Sequence, residues 1–347
     1  MIATVALAPL LQIRVAMSTL MLAGPGFGMA EDTSMTMPLG RGAWGGLAPV
    51  PAPLPEVPLP IPPPPTVGDY QLLGQLARGG MSGVYLARHQ HTGARVAIKL
   101  LADHWRSHAG VVQRLLDEHQ LARRVPHAGV VRVLDVGRDE GLPYLVMELL
   151  DGENLGGLIE RGPLALGAVL AIGAQVADAV AAIHEAGLVH CDLKPDNLML
   201  LYQVGLAGWP AAKVVDFGVA REVGSVIDEI AGTPNYMAPE QWAGHVEPRT
   251  DVYGLGCTLF ELLTGTPPFE GTLHEVKVAH CDHLPPAPST RRAMPPVLDR
   301  LIVRMLAKDA RLRPRMAEVA RVLTELAFEV PPGARVEPSV RMAVLSA

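Results

Sequence analysis

Ten prolines crowd into residues 49–65, ending in the unbroken run Pro62 to Pro65, and they decide where a fold can begin. Proline fixes φ and has no N–H to give a helix or sheet, so this stretch is predicted to be a stiff, solvated polyproline II spacer. Upstream, Met1 to Ala30 is apolar but broken by Pro9, Arg14, Gly24, Pro25 and Gly26. No apolar run there reaches the roughly 20 residues a membrane-spanning helix needs. Residues 2–13 have the apolar character of a signal-peptide core, yet no charged segment precedes them and Arg14 follows instead. The expectation is a disordered leader, or an over-extended start, running into the proline linker over residues 1–68. A folded region then spans 69–328, and a short tail with Pro331, Pro332 and Gly333 occupies 329–347.

Within 69–328 the pattern changes partway along. Short β-branched runs come first, at Val84–Ala87, Val96–Leu100, Val130–Val136 and Tyr144–Met147. Helical stretches follow, notably Leu164–Ala186, Asp251–Thr264 and Val297–Ala307. A strand-rich first third and a helix-rich remainder predict an α+β architecture of two unequal lobes, joined near residue 148. The most apolar later stretch, Gly167 to Ile183, carries Gln175 and Asp178, which suits a buried helix rather than a membrane span. A net charge of −6 and a pI near 6.1 supply no basic face of the kind nucleic-acid binding demands. Cys191, Cys257 and Cys281 are too few and too widely spaced for a disulfide framework or a metal clip, so a reduced, cytoplasmic protein is expected.

Lysine and asparagine are scarce, at 5 and 3 residues, which directs attention to the positions that keep them. Lys99 ends the buried run Val96-Ala-Ile-Lys99 and must find an anion or lose its charge. Nineteen residues on, Asp117 and Glu118 lie in a helical stretch, Val111 to Arg124; Glu118 is the favoured partner and Asp117 the fallback. Ahead of Lys99, the segment Leu76-Ala-Arg-Gly-Gly-Met-Ser-Gly-Val-Tyr85 places glycines between two strands, where backbone N–H groups can face phosphate oxygens. Alone it reads first as an ordinary hairpin. Further on, His190-Cys-Asp-Leu-Lys-Pro-Asp-Asn197 gathers Asp192, Lys194 and Asn197 in one proline-stiffened loop, and Lys213-Val-Val-Asp-Phe-Gly218 adds the hard oxygen ligand Asp216. A base, cations and metal ligands are the parts that phosphoryl transfer needs.

From Tyr70 to about Leu326 these motifs, in this order, resemble the eukaryotic-type protein kinases, above all the bacterial serine/threonine kinases. Met147-Glu148 at a hinge, Gly232-Thr-Pro, Ala238-Pro-Glu240, Asp251 and Arg313-Pro314 complete the series. The resemblance implies a two-lobed kinase fold: a small antiparallel β lobe with one helix over 69–147, a hinge over 148–152, and a larger helical lobe over 153–328. It implies ATP and Mg2+ as cofactors and serine or threonine hydroxyls of proteins as substrates. By the same resemblance Asp192 is the catalytic base, Lys194 neutralises the γ-phosphate, and Asn197 and Asp216 hold magnesium, while Lys99 bridges the α- and β-phosphates and pairs with Glu118. Leu76, Val84, Ala97, Met147, Met199 and Val215 line the adenine slot, with backbone groups of Glu148 and Leu150 reading the adenine edge. Ala77, Gly79 and Gly80 belong to the loop over the phosphates. Glu240 with Arg313, and Asp251 beneath the catalytic loop, are implied to be framework.

Four departures from the family pattern stand out. Cys191 replaces the arginine that usually meets a phosphorylated activation loop, and from Val219 to Gly232 that loop offers only Ser225 as a hydroxyl, among the acids Glu222, Asp228 and Glu229. Activation without loop phosphorylation is therefore expected. Ala77 and Ser82 stand at two glycine positions of the phosphate loop, which together with Cys191 is the case for a pseudokinase, a nucleotide-binding scaffold without transfer. Residues 201–212 form a connection longer than usual, expected to bulge from the surface. The P-x-x-P spacing at Pro60/Pro63 and Pro62/Pro65 is the kind that docks an aromatic groove, but it lacks flanking basic residues, so a spacer is the expectation.

Overall fold

The computed structural model describes residues 65–79, 81–102, 105, 108–225 and 232–330. The expected leader, nearly all of the proline linker, Gly80, the loop acids Asp228 and Glu229, and residues 331–347 lie outside them.

The small lobe is a six-stranded antiparallel sheet in the order β1-β2-β3-β4-β6-β5, built from Thr66–Val67, Tyr70–Arg78, Ser82–His89, Arg95–Leu101, Leu142–Glu148 and Val133–Asp139 for β1, β2, β3, β4, β6 and β5. Strand alternation sorts its chemistry. Along β4, Val96 and Ile98 point into a cluster with Val67, Ala87, Tyr144 and Val146, while Ala97 and Lys99 point to the opposite face. That opposite face becomes the cleft. Helix α1 (Ala109–Arg123) covers the sheet through Leu115, Val111 and Val112, packed on Leu101, Leu145 and Val136. Its buried residues Leu115, Glu118, His119 and Ala122 follow helical spacing, so Glu118 turns inward. Asp117, one residue earlier, stays exposed and accepts from Gln113 Nε2 at 2.8 Å.

The large lobe is helical. Its main helix α3 (Leu166–Glu185) follows the strand β7 (Gly152–Asn154) and a short α2 (Leu155–Ile159) that Asn154 caps by accepting the Gly157 N–H at 2.8 Å. By length and composition α3 is apolar enough to cross a membrane, but here its side chains build the core of the lobe. After the short strand β8 (Leu188–Val189), β9 (Leu198–Val204) and β10 (Pro210–Val214) form a hairpin that pairs with β7, and β11 (Arg221–Glu222) pairs with β8. Then come α4 (Pro239–Trp242), α5 (Pro248–Thr264), α6 (Leu273–Asp282), α7 (Pro296–Met305) and α8 (Met316–Glu329). α5 is buried along almost its whole length, against α3, α7 and α8, and ends at Gly265 with φ +85°, the left-handed stop that glycine adopts without strain.

Two expectations need correcting. Residues 130–132 do not begin β5, because this segment is stitched to β10 instead: Val131 N–H donates to Val214 O at 2.9 Å, and Val214 N–H to Gly129 O at 2.8 Å. Nor is the 201–212 connection wholly a surface bulge. Trp209 is 1% exposed and packs in the core against Gly167, where an added Cβ would sit 2.7 Å from the indole ring.

Candidate active site

Three chain segments meet behind the cleft. Lys99 Nζ lies 2.8 and 2.7 Å from the two carboxylate oxygens of Glu118 and 2.8 Å from Asp216 Oδ1, joining β4, α1 and the segment after β10. Lys99 and Glu118 are buried, whereas the Asp216 side chain is 43% exposed and opens to the cleft. Burial works against the Lys99 charge, but Glu118 and Asp216 outweigh it and hold the ammonium above the usual lysine range. Burial lifts the Glu118 carboxyl, offset only in part by Lys99. Burial also opposes charge on Asp216, yet Lys99 and the Gly218 N–H overcome it and bring this carboxyl down to about 2. Asp216 takes φ +67°, and its Oδ1 accepts that Gly218 N–H at 3.0 Å, which stabilises a left-handed backbone that aspartate tolerates better than most residues.

The second cluster is built on the loop between β8 and β9. Asp192 Oδ1 accepts from the Thr233 N–H and hydroxyl, both at 2.9 Å, and Oδ2 accepts from Asn197 Nδ2 at 3.0 Å. Asn197 Nδ2 also donates to the Asp192 carbonyl at 2.9 Å. Lys194 Nζ stands 3.1 Å from Asp192 Oδ2 and donates to the Thr233 hydroxyl at 2.6 Å. A hydroxyl is thus already held between a carboxylate and an ammonium.

Beneath this loop lies Asp251 of α5, fully buried. Its carboxylate accepts the backbone N–H groups of His190 and Cys191, each at 2.8 Å, and meets His184 Nε2 at 2.8 Å. Burial opposes its charge, but the His184 hydrogen bond and the other donors bring the carboxyl below the usual aspartate range. Those bonds, with Gln241 Nε2 donating to Cys191 O at 2.8 Å, hold Cys191 at φ +67°. The Cys191 side chain is buried between Val189 and Val246, and burial beside Asp251 pushes its thiol well up. The His190 ring approaches Val215 O at 3.3 Å and meets Phe217 edge-on at 5.4 Å. Framework pairing of Glu240 with Arg313 is present at 2.6 and 2.9 Å.

The apolar slot gathers Ala97, Val131 and Met147 with Val84, Val133, Leu149, Leu150 and Val215. Four of the six side chains expected there, Val84, Ala97, Met147 and Val215, do meet. Leu76 and Met199 do not join the cluster: Leu76 is 41% exposed at an irregularity in the β2–β3 pairing, and Met199 sits on β9 opposite Lys213. Val131, Val133 and Leu149 were not foreseen from sequence; Val131 is carried there by the 129–131 stitch to Val214. At the glycine turn, the Gly79 N–H donates to Ser82 O at 2.8 Å, and Ala77 pairs with Val84. Next to the catalytic loop, a cavity of about 450 Å³ is lined by Glu160, Asp196, Tyr236 and Glu261 among others, with Tyr236 donating to Glu261 at 2.6 Å.

Among the described residues no group of three or more His, Cys, Asp or Glu gathers as a self-sufficient metal cage. Asn197 and Asp216 instead fit a cation that takes only one or two protein ligands and completes its shell with phosphate and water, as magnesium does.

Known proteins share much of this sequence. A family model described as protein kinase domain matches residues 70–322. The serine/threonine-protein kinase Pkn1 of Myxococcus xanthus is 42% identical over 250 residues, which is 70% of this chain and 36% of that protein. PkaA of Streptomyces coelicolor is 40% identical over 276 residues (74% and 50%), and PknB of Mycolicibacterium smegmatis 38% over 255 residues (69% and 40%). The chain therefore spans between about a third and a half of the length of these relatives. A strand-borne lysine joined to a helix glutamate and a cleft aspartate, in a chain matched by that model over most of its length, places this protein in the eukaryotic-type protein kinase superfamily, in its bacterial form.

Proposed function

We propose that the chain is an active kinase that uses ATP and Mg2+ to phosphorylate serine and threonine hydroxyls of proteins, within the cytoplasm. The observation that carries this is the Asp192–Thr233–Lys194 arrangement. Its carboxylate accepts from a threonine hydroxyl while its ammonium donates to the same oxygen, which is how a serine or threonine substrate would be received. Asp192 orients the incoming hydroxyl and takes its proton, and Lys194 offsets negative charge as phosphate arrives. Lys99, fixed by Glu118, presents a permanently charged ammonium to the α- and β-phosphates. Asp216, ionised down to about pH 2, and Asn197 are the residues that would hold magnesium, whose chemistry is to neutralise charge on the transferring phosphate. The apolar slot around Ala97, Val131, Met147 and Val215 excludes water from the base.

Activation without loop phosphorylation is part of the proposal. Cys191 offers no positive charge, is buried among valines, and is held by Asp251 and Gln241 rather than by a loop phosphate. The Ser225 hydroxyl donates to the Glu222 carbonyl at 2.8 Å. A pseudokinase reading has Cys191, Ala77 and Ser82 in its favour, but Lys99, Glu118, Asp192, Lys194, Asn197 and Asp216 are all present and assembled. The test is transfer of labelled γ-phosphate to a generic basic protein, with analysis of the labelled amino acid, in the parent and in Ser225→Ala. Label on serine or threonine, kept by Ser225→Ala, is the expected result. Label on tyrosine would refute the substrate class, and loss in a folded Ser225→Ala protein would refute loop-independent activation.

A further inference from the structure

Glu148 ends β6, where the chain crosses from one lobe to the other, and its carboxylate is gripped from two sides. Oε1 accepts from Lys213 Nζ at 2.5 Å and from the Arg132 N–H at 2.9 Å, while Arg132 Nε stands 3.5 Å from Oε2. The backbone closes the same ring. Glu148 N–H donates to Arg132 O at 3.0 Å, and the neighbouring Val131 N–H donates to Val214 O at 2.9 Å. The Lys213 and Glu148 side chains are only 12% and 17% exposed.

This network sits around the apolar slot. Val131 precedes Arg132, Met147 precedes Glu148, and Val215 stands two residues after Lys213. Three residues lining the slot, Val131, Met147 and Val215, are thus each tied to one member of the network, and Lys213 is the member that joins the strand leading to Asp216 with the hinge. An ion pair so far out of solvent rarely stabilises more than apolar packing would, but it fixes geometry, since removing one partner leaves a buried charge uncompensated. Nothing in the transfer chemistry uses Lys213.

We propose that Lys213 is a positioning residue for the nucleotide: through Glu148 it holds β6 and β10 at the spacing that grips the adenine ring. This rests on the reading of the slot as the ATP site. A lost clamp should weaken base binding in ground state and transition state alike, raising KM and sparing kcat.

The experiment compares the full chain with Lys213→Met, Lys213→Arg and Glu148→Gln, measuring KM for ATP, kcat, adenosine affinity and Tm. Lys213→Met should raise KM for ATP about five- to tenfold, weaken adenosine by the same factor and leave kcat within about twofold. Lys213→Arg should restore both KM and adenosine affinity, and the double variant Lys213→Met/Glu148→Gln should bind adenosine no worse than the weaker single variant. Should Lys213→Met fail to fold, Glu148→Gln against the parent supplies the same comparison. A lowered Tm with unchanged KM and adenosine affinity would reduce the pair to a structural tie and overturn the proposal, as would a loss confined to kcat. If the parent binds neither adenosine nor ATP, the reading of the slot fails and the proposal with it. Binding by the parent that is unaltered in the variants overturns the positioning role alone.

Discussion

Asp216 and Asp251 are both carboxylates held by several donors and brought below the usual aspartate range, yet they stand in regions of opposite purpose. Every partner of Asp251 is part of the fold: two backbone N–H groups of the catalytic loop and the His184 ring, with nothing left facing solvent. Asp216 meets Lys99 and one N–H, and then opens to the cleft with 43% of its side chain exposed. A perturbed, well-bonded acid is therefore not by itself a site. What separates framework from chemistry is the coordination left unused.

Substitution should pull the two apart. Asp216→Asn is expected to cut phosphoryl transfer by about 10²–10³-fold, because it removes the ionised ligand from the place where charge must be offset. Lys99 keeps Glu118, and solvent screens the 43%-exposed Asp216 carboxylate, so Tm should move by no more than about 2 °C, a shift worth under roughly 1 kcal/mol in a domain of this size. Calorimetry and a transfer assay on one preparation check both halves. Equal damage to Tm and to transfer would erase the distinction.

Asp251→Asn should behave in the reverse sense. An amide cannot accept from all three donors, and the cost of unmet hydrogen bonds to a buried charge, about 2–3 kcal/mol, predicts a Tm lower by about 5–10 °C. Adenosine affinity of the folded protein at low temperature should survive, since the slot lies elsewhere. A normal Tm would show that the loop does not depend on this anchor.

Acid gives a milder separation. Both carboxyls have folded-state values depressed below their unfolded ones, so each contributes stability that is present above about pH 4 and lost as pH falls through the folded value, near 2 for Asp216. The stability of Asp251→Asn should therefore fall less steeply than the parent's as pH drops below about 4. Denaturant titrations at a series of pH values would read this, and parallel curves would contradict it.

The smallest effect concerns the thiols. Cys191 and Cys257 are buried and pushed up, whereas Cys281 is partly exposed and raised less by its surroundings. A thiol reagent applied to the native protein should label Cys281 first, and fast labelling of Cys191 would show a catalytic loop less well packed than its bonds to Asp251 imply.

The chemistry-bearing residues were legible because their positions make sense only together. A lysine at the end of a buried strand demands an acid, and helix periodicity turned Glu118 rather than Asp117 toward it. Less visible were elements without alternation, such as β2, whose YQLLGQLAR run keeps both faces partly exposed. α8 carries no motif, and only the helical spacing of Met316, Val319, Leu323 and Leu326 marks it in the sequence. Trp209 could not be placed from its loop, since the room for it is made by Gly167 far away in sequence. Lys213 was seen only as the start of a motif; its partner is 65 residues distant, and no local pattern links them. Contacts fixed by topology rather than by period are those that sequence hides.

Whether the cluster around Asp192 transfers phosphate is decided by Asp192→Asn, with binding of magnesium–ATP and single-turnover transfer measured on the same sample. Parent and variant should bind the nucleotide alike while transfer, evident in the parent, falls by about 10³-fold or more in the variant. A parent that is stabilised by ATP yet transfers nothing, indistinguishable from Asp192→Asn, would contradict it and leave a nucleotide-binding scaffold.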